Sequence, residues 1–154
     1  MPQIVKGGKY VFGWSIVGKN GEIKIPGEAV EEYNFKPKNK VFIITGSKTS
    51  GGFSIVKVDK LRKSPLSIVL EKYPELSNFE LSKDDTISYR NRIYIWSEFS
   101  SNGSIILPIK TLKLFGIKPG DHVLSIRGSN LGLGIAIKGP IINEAKKHGE
   151  IKIF

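Results

Sequence analysis

The chain repeats itself: moving the sequence along itself by 82 positions aligns residues 11–56 with residues 93–138 without a gap. Such a repeat has to be recognised before a fold is assigned, because both copies then predict the same structural unit. It also predicts pseudo-two-fold symmetry, which commonly matches a symmetric target or a symmetric assembly. The identical positions are Trp14/Trp96, Ser15/Ser97, Asn20/Asn102, Gly21/Gly103, Ile23/Ile105, Pro26/Pro108, Lys36/Lys118, Pro37/Pro119, Val41/Val123, Ile44/Ile126, Gly46/Gly128, Ser47/Ser129, Gly52/Gly134 and Ile55/Ile137.

Similarity between the two copies continues on both sides of this block. Residues 64–79 resemble residues 139–154 in a register shifted by seven, so the first copy carries an extra stretch at 57–63. Residues 3–6 resemble residues 85–88. We therefore predict a first repeat at 1–82 and a second at 83–154, each ending in a helix. Because one copy alone has a small apolar content, we expect the two to share one core.

Size and composition narrow the class of protein. A chain of 154 residues fits one domain or two small ones, and it has no cysteine for disulfides or a thiolate zinc site. No apolar run approaches the roughly 20 residues that span a bilayer. The first residues lack the long apolar region of a signal peptide. We expect a cytoplasmic protein with no membrane association and no cofactor or metal.

The net charge of +10 is shared equally between the repeats. The first has 13 Lys and Arg against 8 Asp and Glu, and the second has 11 against 6. An equal division favours a basic folded unit over a basic tail, and such a unit attracts polyanions, above all nucleic acid. A lysine-rich composition without a polyanionic partner explains the same charge.

Each repeat begins with a predicted β-hairpin. Residues 10–17 and 92–99 are rich in β-branched and aromatic types, which favour strands. Asn20-Gly21 and Asn102-Gly103 follow, and Asn-Gly predicts a type I′ turn because both central residues need positive φ. We expect residues 22–25 and 104–107 to be the return strands. Strands are also predicted at 41–45, 53–58, 123–127 and 133–138.

Two short helices are predicted in each repeat. The first follows Pro26 or Pro108, since proline is tolerated where a helix begins. The second is predicted in the first repeat after a Ser64 cap, where Leu66, Val69, Leu70 and Tyr73 form one apolar stripe ahead of Pro74. In the second repeat it is predicted from Pro140 to a stop at Gly149. Trp14 and Trp96 are interpreted as core residues in preference to exposed stacking platforms.

These motifs resemble those of the AbrB/MazE/SpoVT swapped-hairpin family. The first repeat carries "GKNGEIKIP" at 18–26 and "FKPKNKV" at 35–41, and the second carries "SNGSIILP" at 101–108 and "GIKPGDHV" at 116–123. The resemblance covers roughly 45 residues of each repeat. It implies a mainly β fold with short helices, in which tandem AbrB-like units exchange hairpins in a pseudo-two-fold β-barrel. It further implies transcription regulation through binding of duplex DNA, without catalysis.

The sequence differs from the family pattern where DNA is read. The family commonly has arginine directly after the hairpin glycine, and here Glu22 and Ser104 occupy these positions. The family also commonly has arginine in the helix after the proline. The corresponding residues here are Val30 and Glu31 in the first repeat and Leu112 and Lys113 in the second, so only Lys113 keeps a positive charge. An alternative function therefore stands beside DNA binding: a protein-interaction or antitoxin-like assembly module that has lost DNA reading, with a protein partner or a second copy of the chain.

The candidate DNA contacts are lysines and asparagines. They lie at the first hairpin of each repeat and, in the second repeat, on the helix that follows this hairpin. The lysines are suited to phosphate contacts, which add affinity without sequence information. The asparagines are able to bond a base edge, although the turn alone explains them. A second basic group is predicted at the turn containing Lys36, Lys38 and Lys40. The candidate DNA-binding residues are Lys19, Asn20, Lys24, Asn102, Lys110 and Lys113.

Enzymatic motifs are weak in this sequence. His122 and His148 lack metal-ligand spacing, and the glycine-rich segment 46–52 lacks the order of a phosphate-binding loop. Asp84 and Asp85 form an isolated acidic pair. We expect no enzymatic activity.

Overall fold

A computed structural model describes residues 10–128 and 131–154. The predicted similarity of residues 3–6 to 85–88 and the identity of Ser47 with Ser129 therefore each have one member outside the described residues. The described chain is mainly β, with nine strands and short helices. The strands are β1 (Val11–Ile16), β2 (Glu22–Lys24), β3 (Lys40–Thr45), β4 (Phe53–Lys57), β5 (Ile87–Tyr89), β6 (Arg92–Glu98), β7 (Ser104–Ile106), β8 (His122–Arg127) and β9 (Leu133–Ala136). The helices are α1 (Gly27–Glu32), α2 (Val58–Arg62), α3 (Ile68–Lys72), α4 (Pro74–Ser77), α5 (Ile109–Leu114) and α6 (Pro140–Ala145).

Seven strands form one antiparallel sheet in the order β1-β8-β9-β4-β3-β6-β5. The remaining two, β2 and β7, pair with each other as a separate antiparallel ribbon. Among the described strands β1 and β5 are the sheet edges and do not pair with one another, so the predicted barrel is not closed. The edge of β1 is partly covered by the chain end, where the Phe154 N–H donates to the Trp14 carbonyl at 2.7 Å.

The pairing of strands is the same in the two halves of the large sheet, because equivalent strands pair through equivalent residues. Strand β1 pairs with β8 of the other repeat, and β3 pairs with β6, which is the equivalent ladder. Trp14 faces Leu124 in one ladder, and Trp96 faces Phe42 in the other. Two further ladders join equivalent residues directly, Ile23 with Ile105 and Phe53 with Ile135. The pseudo-two-fold axis therefore passes through both of these pairs.

The core contains side chains from both repeats. Its central cluster includes Ile23 and Phe53 from the first repeat and Ile105 and Ile135 from the second, all at most 1 % exposed. A second cluster lies under α6, and a third lies under α2, α3 and α4. The two tryptophans are half-buried and belong to these outer clusters, Trp14 to the second and Trp96 to the third. The interpretation of both as core residues is therefore only partly confirmed, because they are half-buried at the outer clusters and absent from the central cluster.

The predicted hairpin pairing is wrong. After each turn the chain leaves the large sheet, and β2 and β7 pair with each other instead of returning along β1 and β6. The turns also differ from type I′, because only the glycines have positive φ, +86° at Gly21 and +78° at Gly103. The Gly21 N–H donates to the Gly18 carbonyl at 3.0 Å, which closes a four-residue turn. A turn that is followed by a glycine with positive φ also closes ordinary hairpins, so the ribbon separates because β2 pairs with β7 and not because of the turn.

Some of the other local predictions are confirmed, and others are wrong. Helices follow both prolines, as α1 and α5, and the Ser64 hydroxyl accepts from the Leu66 N–H at 3.2 Å, as its predicted cap role requires. The single helix predicted after Pro65 is instead a 3-10 turn (Pro65–Ser67), α3 and α4. Helix α6 ends at Ala145, before the predicted stop at Gly149. Helix α2 and strand β5 were not predicted.

Candidate nucleic-acid interface

The β2–β7 ribbon presents one turn at each of its ends. Turn one is residues 18–21, and turn two is residues 100–103. A Cβ added at Gly21 would lie 2.0 Å from the Leu107 carbonyl oxygen and 3.4 Å from Leu112 Cδ1, so turn one lies against α5. A Cβ added at Gly103 would lie 3.9 Å from Val30 Cγ2, so turn two lies against α1. Each turn therefore contacts the helix of the other repeat.

Four of the six predicted contact residues lie on the turn-one side. Lys19 and Asn20 are exposed in turn one, and Lys110 and Lys113 are exposed on α5. The Asn20 Oδ1 atom accepts from the Glu22 N–H at 3.2 Å, so this side-chain oxygen stabilises the turn. The three lysines on this side leave their ammonium groups in solvent. We call this group of residues (Lys19, Asn20, Lys110 and Lys113) the basic end.

The other two predicted residues lie at turn two and contact each other. The Lys24 ammonium donates to the Asn102 carbonyl oxygen, which joins strand β2 to the turn of the second repeat. The Asn102 Oδ1 atom accepts from the Ser100 hydroxyl. These groups therefore have internal partners, which weakens their suitability for contacts with a ligand.

The charge of the ribbon ends is not symmetric. On α1, Glu28 and Glu31 occupy the positions that Lys110 and Lys113 occupy on α5. This inversion of charge was not predicted, although residues 28 and 31 align with residues 110 and 113 at the 82-residue spacing of the repeat. A duplex that followed the pseudo-two-fold axis would meet ammonium groups on one side and carboxylates on the other. Because like charges repel, the carboxylate side opposes phosphate binding.

Large apolar side chains are also exposed near the basic end. Ile106 on β7 is 49 % exposed, and Ile109 and Leu114 on α5 are 40 % and 52 % exposed. The equivalents of Ile106 and Leu114 in the first repeat are the charged residues Lys24 and Glu32. Exposed apolar groups of this size mark protein-interaction surfaces when they are contiguous.

The predicted basic group at residues 36–40 is divided by the fold. Lys38 has a positive φ of +65°, and its N–H donates to the Phe99 carbonyl at 2.7 Å. The Lys40 ammonium lies 5.5 Å from the centre of the Phe79 ring, as a cation–π contact. Lys40 is therefore directed to the outer cluster of the first repeat and not to a shared phosphate-binding point.

The histidines and the glycine-rich loop have structural partners. The His148 Nδ1 atom lies 2.9 Å from Glu150 Oε1, and the His122 ring lies edge-on to Trp14 at 6.3 Å. A backbone bond to Glu150 itself and the bond from His148 hold the pKa of the Glu150 carboxyl below its usual value. In the loop between β3 and β4, the Ser47 hydroxyl accepts from the Ser50 N–H at 3.1 Å.

Asp84 and Asp85 are exposed in a turn. Within residues 10–128 and 131–154, no group of three or more His, Cys, Asp or Glu side chains is placed to hold a metal ion. No helix in the same ranges is both long enough and apolar enough to cross a membrane.

Comparison of the chain with models of protein families, with curated proteins and with solved structures gives no match.

Proposed function

We propose that this chain is a non-enzymatic, cytoplasmic DNA-binding protein and a transcription regulator of the AbrB/MazE/SpoVT type. The observation that carries the proposal is the exchange of strands between repeats. Strand β1 pairs with β8 and β6 pairs with β3 in the same register, while β2 and β7 form a ribbon on the axis. Pairing of strands between the repeats supports the proposal because the swapped-hairpin resemblance implies exchange between two units, although the described strands do not close the barrel that it also implies.

The proposed contact surface is the basic end. Lys19, Lys110 and Lys113 are exposed, and none of them forms an ion pair with a described residue. Lysine ammonium groups bind phosphate as point charges, so the contact supplies affinity more than sequence discrimination. The carboxylates of α1 restrict the contact to one half of the ribbon. The protein therefore binds DNA weakly and from one side.

The dependence of DNA affinity on salt tests this surface. Three phosphate contacts predict a loss of about 40-fold in affinity between about 50 and about 200 mM salt. The double variant K110A/K113A should lower the affinity and flatten this dependence. The reverse change, E28K/E31K, copies the charges of α5 onto α1 and should steepen the loss to about 500-fold. Mobility shift or fluorescence anisotropy with a labelled duplex measures both.

A control is available in the extra stretch of the first repeat. Lys60 and Lys63 are exposed there, in or just after α2, and lie outside the ribbon. The variant K60A/K63A removes the same charge as K110A/K113A, so equal losses from both would indicate attraction by net charge alone. Absence of binding at low salt would refute the DNA-binding function.

The alternative is a protein-interaction or antitoxin-like module, and the exposed apolar residues Ile106, Ile109 and Leu114 favour it. Sedimentation velocity over a range of concentrations tests whether a second copy covers them. Self-association that is abolished by I109D and unaffected by K110A/K113A would support this alternative over the DNA-binding function.

A further inference from the structure

A cleft lies between the sheet and the chain end, and it is lined by residues of the second repeat together with Trp14 of the first. Its volume is about 600 Å³, which is in the range of small-molecule sites. Its walls are mainly apolar, and several polar groups converge on it. The residues important here are Trp14, His122, Ile142, Ala145, Lys146 and His148.

In the equivalent place, beside Trp96 of the second repeat, the space is filled by Phe79 of the first repeat. The Phe79 ring stacks on Phe42 at 5.6 Å and meets Trp96 edge-on at 5.7 Å, with the Lys40 ammonium above it. The Trp96 indole N–H donates to the Leu81 carbonyl at 3.0 Å. The Trp96 ring therefore packs against an aromatic ring, and its indole N–H has an oxygen acceptor.

At the cleft, the residue that corresponds to Phe79 does not occupy this space. Leu124, Trp14 and His122 are the equivalents of the three residues around Phe79. Phe154, which corresponds to Phe79, covers Gly13 instead: a Cβ added at Gly13 would lie 2.5 Å from the Phe154 ring. Its N–H bonds the Trp14 carbonyl, which fixes this segment along β1. The Trp14 indole N–H has no acceptor among the described residues.

One cationic side chain of the cleft, that of Lys146, favours an anion. Asp121 lies at the wall, but its carboxylate is neutralised by the Lys118 ammonium at 2.7 Å. His148 lies between Glu144 and Glu150. Lys146 lines the cleft and forms no ion pair with any described residue, so its ammonium group is available to a ligand.

We propose that this cleft is a binding site for a small aromatic carboxylate. The ring occupies the place beside Trp14 and His122 that Phe79 occupies beside Trp96 and Lys40. An oxygen of the ligand accepts from the Trp14 indole N–H, as the Leu81 carbonyl does for Trp96, and the carboxylate is attracted to Lys146. The proposal rests on the comparison of the two repeats and is independent of DNA binding.

The two indole N–H resonances of the ¹⁵N-labelled protein provide the test, since the chain has two tryptophans. W96F assigns the signals. Titration with 3-phenylpropionate should shift the Trp14 signal saturably and leave the Trp96 signal in place. Two compounds separate the ligand features: 3-cyclohexylpropionate lacks the ring, and 3-phenylpropanamide lacks the charge. Both should bind more weakly.

A matched pair of lysine variants tests the charge. K146A should weaken binding of 3-phenylpropionate about threefold to fivefold, as expected for an exposed ion pair. K147A changes the neighbouring lysine, which pairs with Glu144 and does not line the cleft, and should leave affinity unchanged. Absence of a Trp14 shift up to roughly 10 mM ligand, equal binding of the cyclohexyl compound, or equal losses in both variants would overturn the proposal.

Discussion

Ile23 pairs with Ile105 at the centre of the β2–β7 ribbon, and each residue is the other's counterpart in the repeat. Both side chains are fully buried. I23A and I105A should each lower the free energy of unfolding by about 2–4 kcal/mol because they leave a cavity at the same point. The double variant should depart from additivity by about 0.5 kcal/mol or more, since the residues are in contact. Urea denaturation measures this, with the half-exposed I106A as a control that should lose less than about 1 kcal/mol.

The two turn glycines should respond differently to alanine. Both have positive φ, which costs an alanine about 1–2 kcal/mol. At Gly103 the nearest atom to an added Cβ would be 3.7 Å away, whereas at Gly21 the Leu107 carbonyl oxygen would be 2.0 Å away. G103A should therefore cost the backbone strain alone, and G21A considerably more. Equal losses in the two variants would contradict the asymmetric packing of the turns.

Phe79 and Phe154 offer a second comparison between repeats. Phe79 packs on Phe42 and Trp96, and F79A should destabilise the protein by about 2–3 kcal/mol. Phe154 is 38 % exposed at the chain end, so F154A should cost about 1 kcal/mol or less. Denaturant midpoints at an unchanged slope measure the difference. A larger loss in F154A would show that the chain end stabilises the sheet more than the outer cluster does.

Asp121 predicts a pH-dependent contribution to stability. Burial alone would raise the pKa of its carboxyl, but bonds from the Lys118 side chain and backbone hold that pKa below the ordinary value of 3.8. The contribution is therefore complete above about pH 4 and disappears as the pH falls through the lower folded-state pKa. D121N keeps an acceptor for the Lys118 N–H, as Asn39 does for Lys36 in the first repeat.

The wild-type protein should therefore exceed D121N in stability near pH 7, and the difference should shrink towards about pH 2. Urea denaturation of both proteins across this pH range measures the difference. A difference that grows as the pH falls would contradict the lowered pKa.

Six of the seven strands of the large sheet, all except β5, were predictable because the information that specifies them is local. Short runs of mainly β-branched and other apolar residues indicate β3 and β8, and proline fixes the starts of α1 and α5. The partner of a strand is not local information. Asn20-Gly21 indicates a turn correctly, but the direction of the chain after it depends on Ile23 being buried against Ile105, far away in sequence. Tertiary packing, and not the local strand propensity, therefore determines which strand β2 pairs with.

The candidate site was predicted in the same partial way. Lys19, Lys110 and Lys113 are exposed as the lysine patterns indicate, and they lie at one end of the ribbon. The internal bond between Lys24 and Asn102 joins the two repeats, so no local pattern contains it. The Trp14 cleft was missed for a similar reason, because it results from where Phe154 lies and not from a motif.

The exchange of strands also sets the order in which the protein is able to fold during its synthesis. Strand β1 has to wait for β8, whose residues are made more than a hundred positions later. Until then the nascent first repeat presents unpaired strand edges and half of a core, the state in which chains aggregate most readily. Two nascent chains that meet at this stage are able to pair their unpaired strand edges with each other. Because both repeats lie in one chain, the local concentration of the correct partner is high and pairing within the chain competes with assembly between chains.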